Sequence, residues 1–224
     1  MTEKDWVGGK ASTYTCLGAS NHTEEDREMH DYYATAPVAC EWLLKLEPQI
    51  NNVWEPFVGG GHIAEVYKNA GKLKAVSDLI DRGYYPEGIM TSYGKNFLRM
   101  SKIWKGDIVS NPPYKDALLY VQHCLELLQE GHYLALFMKL TFLETKERKK
   151  FFEDNPPLRV WVSSSRIPCA KNGEFEIPKK DKEGNIKVDS EGNPVMEKVS
   201  AAVCYAWFIW QKGYKGDTVI KWFN

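Results

Sequence analysis

The chain has 224 residues, 43% of them hydrophobic, and a formal net charge of −1. This length fits one domain over residues 1–224 with a substantial core, and no apolar run approaches the ~20 residues needed to cross a bilayer. Near-neutral charge is not the profile of a strong non-specific nucleic-acid binder, which carries a basic surface.

Residues 1–30 are polar and read as an irregular N-terminal arm, tied down where Tyr14 and Leu17 pack. The opening Met1-Thr-Glu-Lys-Asp-Trp6 lacks the basic-then-apolar pattern of a secretion signal, so a cytoplasmic location is expected. Pro37 through Leu46 reads as a helix: Val38, Trp42 and Leu46 recur every four residues, and Ala39, Leu43 and Leu44 widen the stripe.

Val53-Trp-Glu-Pro-Phe-Val-Gly-Gly-Gly-His-Ile-Ala-Glu65 reads as a strand, a glycine turn and a helix running from about His62 to Ala70. The glycines let backbone approach a ligand closely, and the first turn of the helix offers free N–H groups to a negative group. Gly59-x-Gly61-x-x-Ala64 also fits the dinucleotide fingerprint of a dehydrogenase. Glu55 argues against that reading, because a carboxylate at the strand end repels a pyrophosphate but suits the ammonium of an amino-acid ligand. Pro56 then stiffens the turn. Lys72 to Asp78 reads as the next strand, and Asp78 stands 23 residues after Glu55. That is close to the spacing at which an acid reaches ribose hydroxyls. Asp81 is the alternative partner, though an exposed loop acid is its expected role.

Asp107-Ile-Val-Ser-Asn111 reads as a short buried strand that lands on Asn111-Pro112-Pro113-Tyr114. Two prolines can neither extend a helix nor pair in a central ladder, so the chain is forced into a rigid, extended turn. The turn frees a carbonyl of Ser110, Asn111 or Pro112 and exposes the Asn111 amide, beside the flat face of Tyr114. Two acceptors next to a stacking surface suit a planar substrate with an NH2 group, such as a base taken out of its stack.

Lys115 to Gln129 reads as a helix, with His123 at its surface or at a core edge rather than as a ligand. His132 to Met138, Arg159 to Ser163 and Ala201 to Trp210 read as strands. Strands alternating with helices call for a parallel sheet, and the last two strands, with no helix between them, suggest an antiparallel edge hairpin. Residues 170–199 between them mix glycines, prolines and alternating charges without apolar periodicity. A loop this long is functional or mobile; within it Ile186–Val188, Asp189–Gly192 and Pro194–Met196 form a candidate small hairpin. Elsewhere there is no internal repeat. Lys146-Glu-Arg-Lys-Lys150 and Lys179-Lys180 are basic clusters, with Arg159, Arg166 and Lys171 between them, and each is either a phosphate contact or a solvated face. The five cysteines (Cys16, Cys40, Cys124, Cys169, Cys204) form no CxxC pair, and none sits with His at metal-ligand spacing. Reduced thiols and no metal are expected.

Glu55-Pro-Phe-Val-Gly-Gly-Gly61, Asp78, Asn111-Pro-Pro-Tyr114 and the upstream Asp31-Tyr-Tyr-Ala-Thr-Ala-Pro37 together resemble the class I S-adenosylmethionine-dependent methyltransferases, specifically the small phage-type DNA adenine-N6 enzymes. The resemblance covers nearly the whole chain, and Trp207 to Tyr214 looks like the closing strand of such proteins. It implies an α/β, Rossmann-like fold: a mostly parallel seven-stranded sheet with helices on both faces and an antiparallel edge hairpin. It implies S-adenosylmethionine as cofactor, held by Glu55, Pro56, Gly59, Gly61 and Asp78, with Tyr33, Thr35 and Pro37 contributing from the upstream segment. Phe97 and Asn111 join this set, although Asn96 stands where the family commonly has a third-strand acid. Asn111, Pro112, Pro113 and Tyr114 are the implied catalytic residues. Insertions like 170–199 approach the substrate in the family, and Lys139, Arg166, Lys171, Asn172 and Tyr114 are the candidate substrate contacts. DNA is the implied partner, in the host bacterial cytoplasm if the chain is phage- or prophage-encoded; no recognition domain is separate from the catalytic one. Oligomeric state stays open, with a monomer favoured.

The expected chemistry is direct methyl transfer to an exocyclic amine. Hydrogen bonds from both amine hydrogens, to the Asn111 oxygen and to a motif carbonyl, localise the nitrogen lone pair and strengthen in the transition state. RNA adenine and protein glutamine amide are alternative substrates, and a cofactor-binding but inactive module is the non-enzymatic alternative.

Overall fold

The computed structural model of the chain describes residues 32–171, 173–199, 201 and 203–224. The arm at 1–30, Cys16, Asp31 and Asn172 lie outside the described residues. The first elements are β1 (Tyr33–Thr35), α1 (Pro37–Leu46), β2 (Val53–Glu55), α2 (His62–Asn69) and β3 (Leu73–Asp78). Then come β4 (Met90–Tyr93), β5 (Ile108–Ser110), α3 (Ala117–Leu127), β6 (Tyr133–Lys139), α4 (Lys146–Asp154) and β7 (Arg159–Ser163). The chain closes with β8 (Cys169–Lys171), β9 (Glu176–Pro178), β10 (Met196–Lys198), β11 (Tyr205–Gln211) and β12 (Val219–Phe223).

One sheet runs in the order β12-β7-β11-β6-β5-β2-β3-β4. Neighbours from β4 to β6 are all parallel, because each returns through a crossover long enough to carry the chain back. Helices cover both faces. Period-two alternation decides which side chain meets which helix. Ala135, Phe137, Trp207 and Ile209 join Ala39 and Leu43 of α1 and Ile63, Ala64 and Tyr67 of α2. Leu134, Leu136, Met138, Phe208 and Trp210 join Val121, Cys124 and Leu125 of α3 and Phe151 of α4. The buried indoles are satisfied: Trp207 Nε1 donates to the Ala39 carbonyl at 2.9 Å and Trp54 Nε1 to Ser77 Oγ at 3.0 Å.

Two expectations change here. The sheet has eight strands rather than seven, and the β7–β11 pair is not an edge hairpin. β11 lies between β6 and β7, antiparallel to both, which is why Tyr205–Trp210 is buried on both faces. The added strand is β12, parallel to β7 at the edge. Four of its five residues are exposed, so Val219-Ile-Lys-Trp-Phe223 carries little of the burial pattern that announces a core strand.

The described residues between 170 and 199 are built rather than structureless. β8 pairs with β1 in a ribbon apart from the main sheet, and β9 pairs with β10. Between β9 and β10 the expected hairpin forms, with Val188 opposite Pro194, and a second one places Lys180 opposite Ile186. Both turns come from an eight-residue repeat, Asp181-Lys-Glu-Gly-Asn-Ile-Lys-Val188 and Asp189-Ser-Glu-Gly-Asn-Pro-Val-Met196. In each, the Asp Oδ1 accepts backbone N–H groups two and four residues on, at 2.9–3.0 Å. Backbone bonds from Lys179 to Val195, Lys187 to Lys179 and Val195 to Lys187, each 2.8 Å, close the module into a triangle.

The parallel strands end on one edge. Glu55 closes β2, Asp78 closes β3, Asn111 follows β5 and Lys139 closes β6. The chain leaves β2 towards β3 on one side, while β5 lies on the other. The crevice above β2 and β5 is therefore the topological switch point, where open α/β sheets bind ligands.

Candidate active site

β2 delivers Glu55 to this crevice as a buried carboxylate, 2% exposed. The Ala64 N–H of α2 donates to it, and its Oε2 is buried without a hydrogen-bond partner. Burial first, and then the charge of Asp78, push its carboxyl well above the usual range. Such an oxygen is costly to leave unpaired, and an ammonium group is the partner that would satisfy it. Pro56 is buried behind it.

The glycine turn follows. Gly59 and Gly61 have φ of +53° and +88°, the left-handed region that favours glycine. Aromatic rings also lie against both: a Cβ on Gly59 would sit 2.7 Å from Tyr32 Cδ2, and one on Gly61 would collide with the Tyr84 ring. The Gly59 N–H donates to Asp78 Oδ2 at 2.8 Å, so the acid of β3 holds the turn of β2. Asp78 Oδ1 accepts from Ile80 N–H at 3.0 Å and pairs with Arg82 at 3.6 Å. Arg82 in turn lies over the Tyr32 ring, 4.7 Å from its centre. Asp81 bonds its own loop, at Gly83 N–H and the Tyr85 hydroxyl.

On the other side of the switch point, Asn111 Nδ2 lies 3.0 Å from Thr35 Oγ1, 3.2 Å from the Tyr33 carbonyl, 3.4 Å from the Tyr114 hydroxyl and 3.6 Å from Cys169 Sγ. A carbonyl only accepts, so Tyr33 fixes which end of the amide is nitrogen. Asn111 Oδ1 is then the free end: buried and without a partner. Ser110 Oγ beside it is also unpartnered. Pro112 is buried and Pro113 exposed. Tyr114 lies between Tyr33, 5.7 Å away centre to centre, and Tyr205, 6.2 Å away. Lys139 Nζ is 4.7 Å above its ring. The Tyr114 hydroxyl donates to the Tyr205 hydroxyl at 3.3 Å, and burial above all pushes its titration far up.

The structure thus brings Glu55, Pro56, Gly59, Gly61 and Asp78 together around the turn, and Tyr33, Thr35, Asn111, Tyr114 and Lys139 around the amide. Pro37 sits at the first position of α1, exposed. Phe97 goes elsewhere: it is 5% exposed and packs between Trp54, Phe57 and Tyr120 in the core on the α3 side. Asn96 caps the turn at Phe97–Arg99, accepting from the Leu98 N–H at 3.0 Å. Arg166 donates to the Ala201 carbonyl at 3.3 Å, and Lys171 is exposed at the end of β8, opposite Tyr33. Sequence reasoning missed Tyr32, Tyr84, Cys169 and Tyr205 as site residues. Tyr205 opens an apolar run that reads only as core, and β8 is too short to show a period.

Among the described residues no group of His, Cys, Asp and Glu could hold a metal ion, and no helix is long and apolar enough to cross a membrane. The residues present do fit S-adenosylmethionine. The orphaned Glu55 oxygen suits its ammonium, and the Asp78 carboxylate stands at the end of the next strand, where ribose hydroxyls lie in such folds.

No family profile and no curated protein matches the sequence. Solved structures do. The chain is similar to a candidate RNA methyltransferase of Pyrococcus horikoshii, at 12% identity and TM-score 0.53, covering 91% of this chain and 98% of that one. It is similar to a candidate class I S-adenosylmethionine-dependent methyltransferase of Listeria monocytogenes, at 11% identity and TM-score 0.51, covering 95% and 72%. With the type IIG restriction endonuclease BpuSI the match is 12% identical at TM-score 0.46, covering 80% of this chain and 24% of that one. At such identities the likeness speaks to fold, and on strand order, helix placement and the Pyrococcus and Listeria neighbours the chain has the Rossmann-like fold of the class I methyltransferases.

Proposed function

We propose that the chain transfers the methyl group of S-adenosylmethionine to the exocyclic N6 amine of adenine in DNA. The observation that carries this reading is Asn111: an amide oxygen buried at the switch point, unpartnered, with its nitrogen held by neighbours. An aromatic amine is a poor nucleophile because its lone pair is delocalised into the ring. Asn111 Oδ1 accepts one amine hydrogen and a carbonyl of the Asn-Pro-Pro turn accepts the other, which favours a pyramidal, nucleophilic nitrogen. Both bonds strengthen as positive charge develops, so they act chiefly in the transition state. Asn111 is not a base; the proton leaves after the methyl arrives. Tyr114 lies beside the extruded base, with Lys139 over its ring and Lys171 exposed on the ribbon opposite Tyr33.

Bound S-adenosylmethionine supplies the sulfonium methyl as electrophile. Glu55 holds its ammonium, Asp78 its ribose hydroxyls, and the glycine turn lets the backbone approach. DNA is favoured over other amine donors by the resemblance of the upstream Tyr32-Tyr-Ala-Thr-Ala-Pro37 segment to phage DNA enzymes. Residues 1–224 are read as one methyltransferase domain, with an N-terminal arm at 1–30 and the 170–199 insertion as a substrate-recognition element.

The test is transfer from labelled cofactor to adenine-containing DNA, RNA and a glutamine peptide in parallel, with products identified by mass spectrometry. N6-methyladenine in DNA is the expected product, and Asn111→Ala should lower kcat by roughly 10²–10³. RNA or peptide labelling without DNA labelling would move the substrate; undiminished rates in Asn111→Ala would sink the mechanism.

A further inference from the structure

We propose that the β1–β8 ribbon is an orienting clamp for Asn111, with Thr35 and Cys169 as its positioning residues. The inference rests on the methyltransferase reading above and reassigns Thr35 from the cofactor to the amide. Thr35 and Cys169 are register partners across the ribbon. Their Oγ1 and Sγ lie 3.0 and 3.6 Å from the same nitrogen, Asn111 Nδ2, and the Tyr33 carbonyl of the same strand lies 3.2 Å from it. An NH2 group has two hydrogens, and the ribbon offers acceptors for both. Thr35 is 2% exposed, so its hydroxyl is turned to this contact rather than to water.

The consequence is directional. Turned over, the amide would press its oxygen against the Tyr33 carbonyl, which has no hydrogen to give. The clamp therefore holds Oδ1 outward, as the acceptor a target amine meets. It also discriminates at position 111 itself. An aspartate there would direct a carboxylate oxygen at the Tyr33 carbonyl whichever way it turned, so the ribbon suits an amide and opposes a carboxylate. Because the ribbon stands outside the main sheet, this orientation is imposed by a separate element and not by β5.

The experiment uses the full chain with Thr35→Val, which keeps the side-chain shape and removes the acceptor. At saturating cofactor and DNA, kcat should fall about tenfold while the Kd for S-adenosylhomocysteine stays within about twofold, and Thr35→Ser should recover most of the loss. In an Asn111→Ala background, Thr35→Val should add no further loss, since a residue acting through another cannot act without it. A readout independent of activity is the Asn111 side-chain NH2 signal in nitrogen-15 spectra, identified by its loss in Asn111→Ala. It should shift and exchange faster with solvent in Thr35→Val and in Cys169→Ala. Unchanged Asn111 signals, or wild-type kcat with weakened cofactor binding in Thr35→Val, overturn the clamp. A wild-type chain that methylates nothing while the Asn111 signals respond as expected overturns the methyltransferase reading and leaves the clamp standing.

Discussion

Arg159 reaches across from β7 to grip Glu47 at the end of α1 with two parallel hydrogen bonds, Nε and Nη2 each 2.6 Å from a carboxylate oxygen. Trp161 Nε1 adds a third at 2.7 Å and Gln49 a fourth at 2.6 Å. Burial pushes the Glu47 carboxyl up, but these bonds outweigh it and hold the group below the usual range. Arg159→Ala leaves a buried carboxylate without its cation and should cost about 3–5 kcal/mol. Glu47→Gln should cost less, because the Arg159 side chain is 25% exposed and can turn to water. Since the folded pKa is depressed, the stabilisation is present above the unfolded value of about 4.3 and lost as pH falls through the folded one. Denaturant melts of wild type and Arg159→Ala should therefore converge in acid; a gap that stays constant down to low pH would contradict this account.

Glu55 behaves in the opposite sense. Its folded pKa is raised, so ionising it costs the cofactor-free protein stability as pH climbs from about 4.3 through the folded value. Glu55→Gln should stabilise the free chain at neutral pH, each ~1 kcal/mol appearing as about 2–4 °C in Tm. The same change should weaken S-adenosylmethionine binding by about 1.5–3 kcal/mol, the loss of a hydrogen bond to a charged group. Affinity of the wild type should rise with pH as Glu55 ionises. Calorimetry with S-adenosylmethionine and S-adenosylhomocysteine decides it: equal affinity in wild type and Glu55→Gln removes the carboxylate from the site.

Much of this was legible in the sequence, and what was not has physical causes. Glu55, the glycine turn, Asp78 and Asn111-Pro-Pro-Tyr114 lie at strand ends, and strands ending on punctuating residues can be read locally. The helices α1 to α3 follow from apolar spacing. β12 was illegible because an edge strand with four exposed residues has no burial pattern to show. Phe97 was misplaced because nothing local says which face of the sheet its turn covers. Thr35 and Cys169 could not be joined, since their pairing spans the chain and each strand of the ribbon has only three residues. The Asp-x-Glu-Gly-Asn repeat was present in the sequence, but hydrophobic periodicity, the signal that organises the rest, is absent from it.

Tyr114→Phe tests a hydroxyl to which the sequence assigns no role. The sequence alone predicts a near-silent substitution, because the ring face remains. In the structure that hydroxyl donates to Tyr205 and lies 3.4 Å from Asn111 Nδ2. Its loss should cost about 0.5–1.5 kcal/mol of stability, the worth of one neutral hydrogen bond, and lower kcat a few-fold by loosening the amide's surroundings. Tyr114→Ala also removes the ring, worth about 1–3 kcal/mol per stacked base, and should raise the KM for DNA as well. If Tyr114→Phe matches wild type in both melting and kcat, the hydroxyl is only a spacer.

The 176–198 module separates cleanly from the site, and that makes its role testable. Cys169 to Lys171 belong to the ribbon at Asn111, and Phe175 packs edge-on against His62 at 5.5 Å, so removing all of 170–199 would confound recognition with catalysis. Residues 176–198 are different: apart from the half-buried Pro178 and Asp181 they are exposed, and Ile177, Ile186, Val188, Val195 and Met196 remain 37–58% accessible. Joining Phe175 to Val199 with a short Gly-Ser turn is feasible because the Val199 N–H already donates to the Phe175 carbonyl at 2.9 Å. The shortened chain should keep its melting temperature within a few degrees and its S-adenosylhomocysteine affinity within about twofold, since no cofactor residue is touched. DNA methylation should fall at least about tenfold, through KM more than kcat, because the loss is of substrate contacts made equally in ground and transition states. Lysines in the module should also contribute to the salt dependence of DNA binding, which would flatten on deletion. Undiminished methylation with the same site preference would assign the module to another partner and leave recognition to the ribbon and the sheet edge.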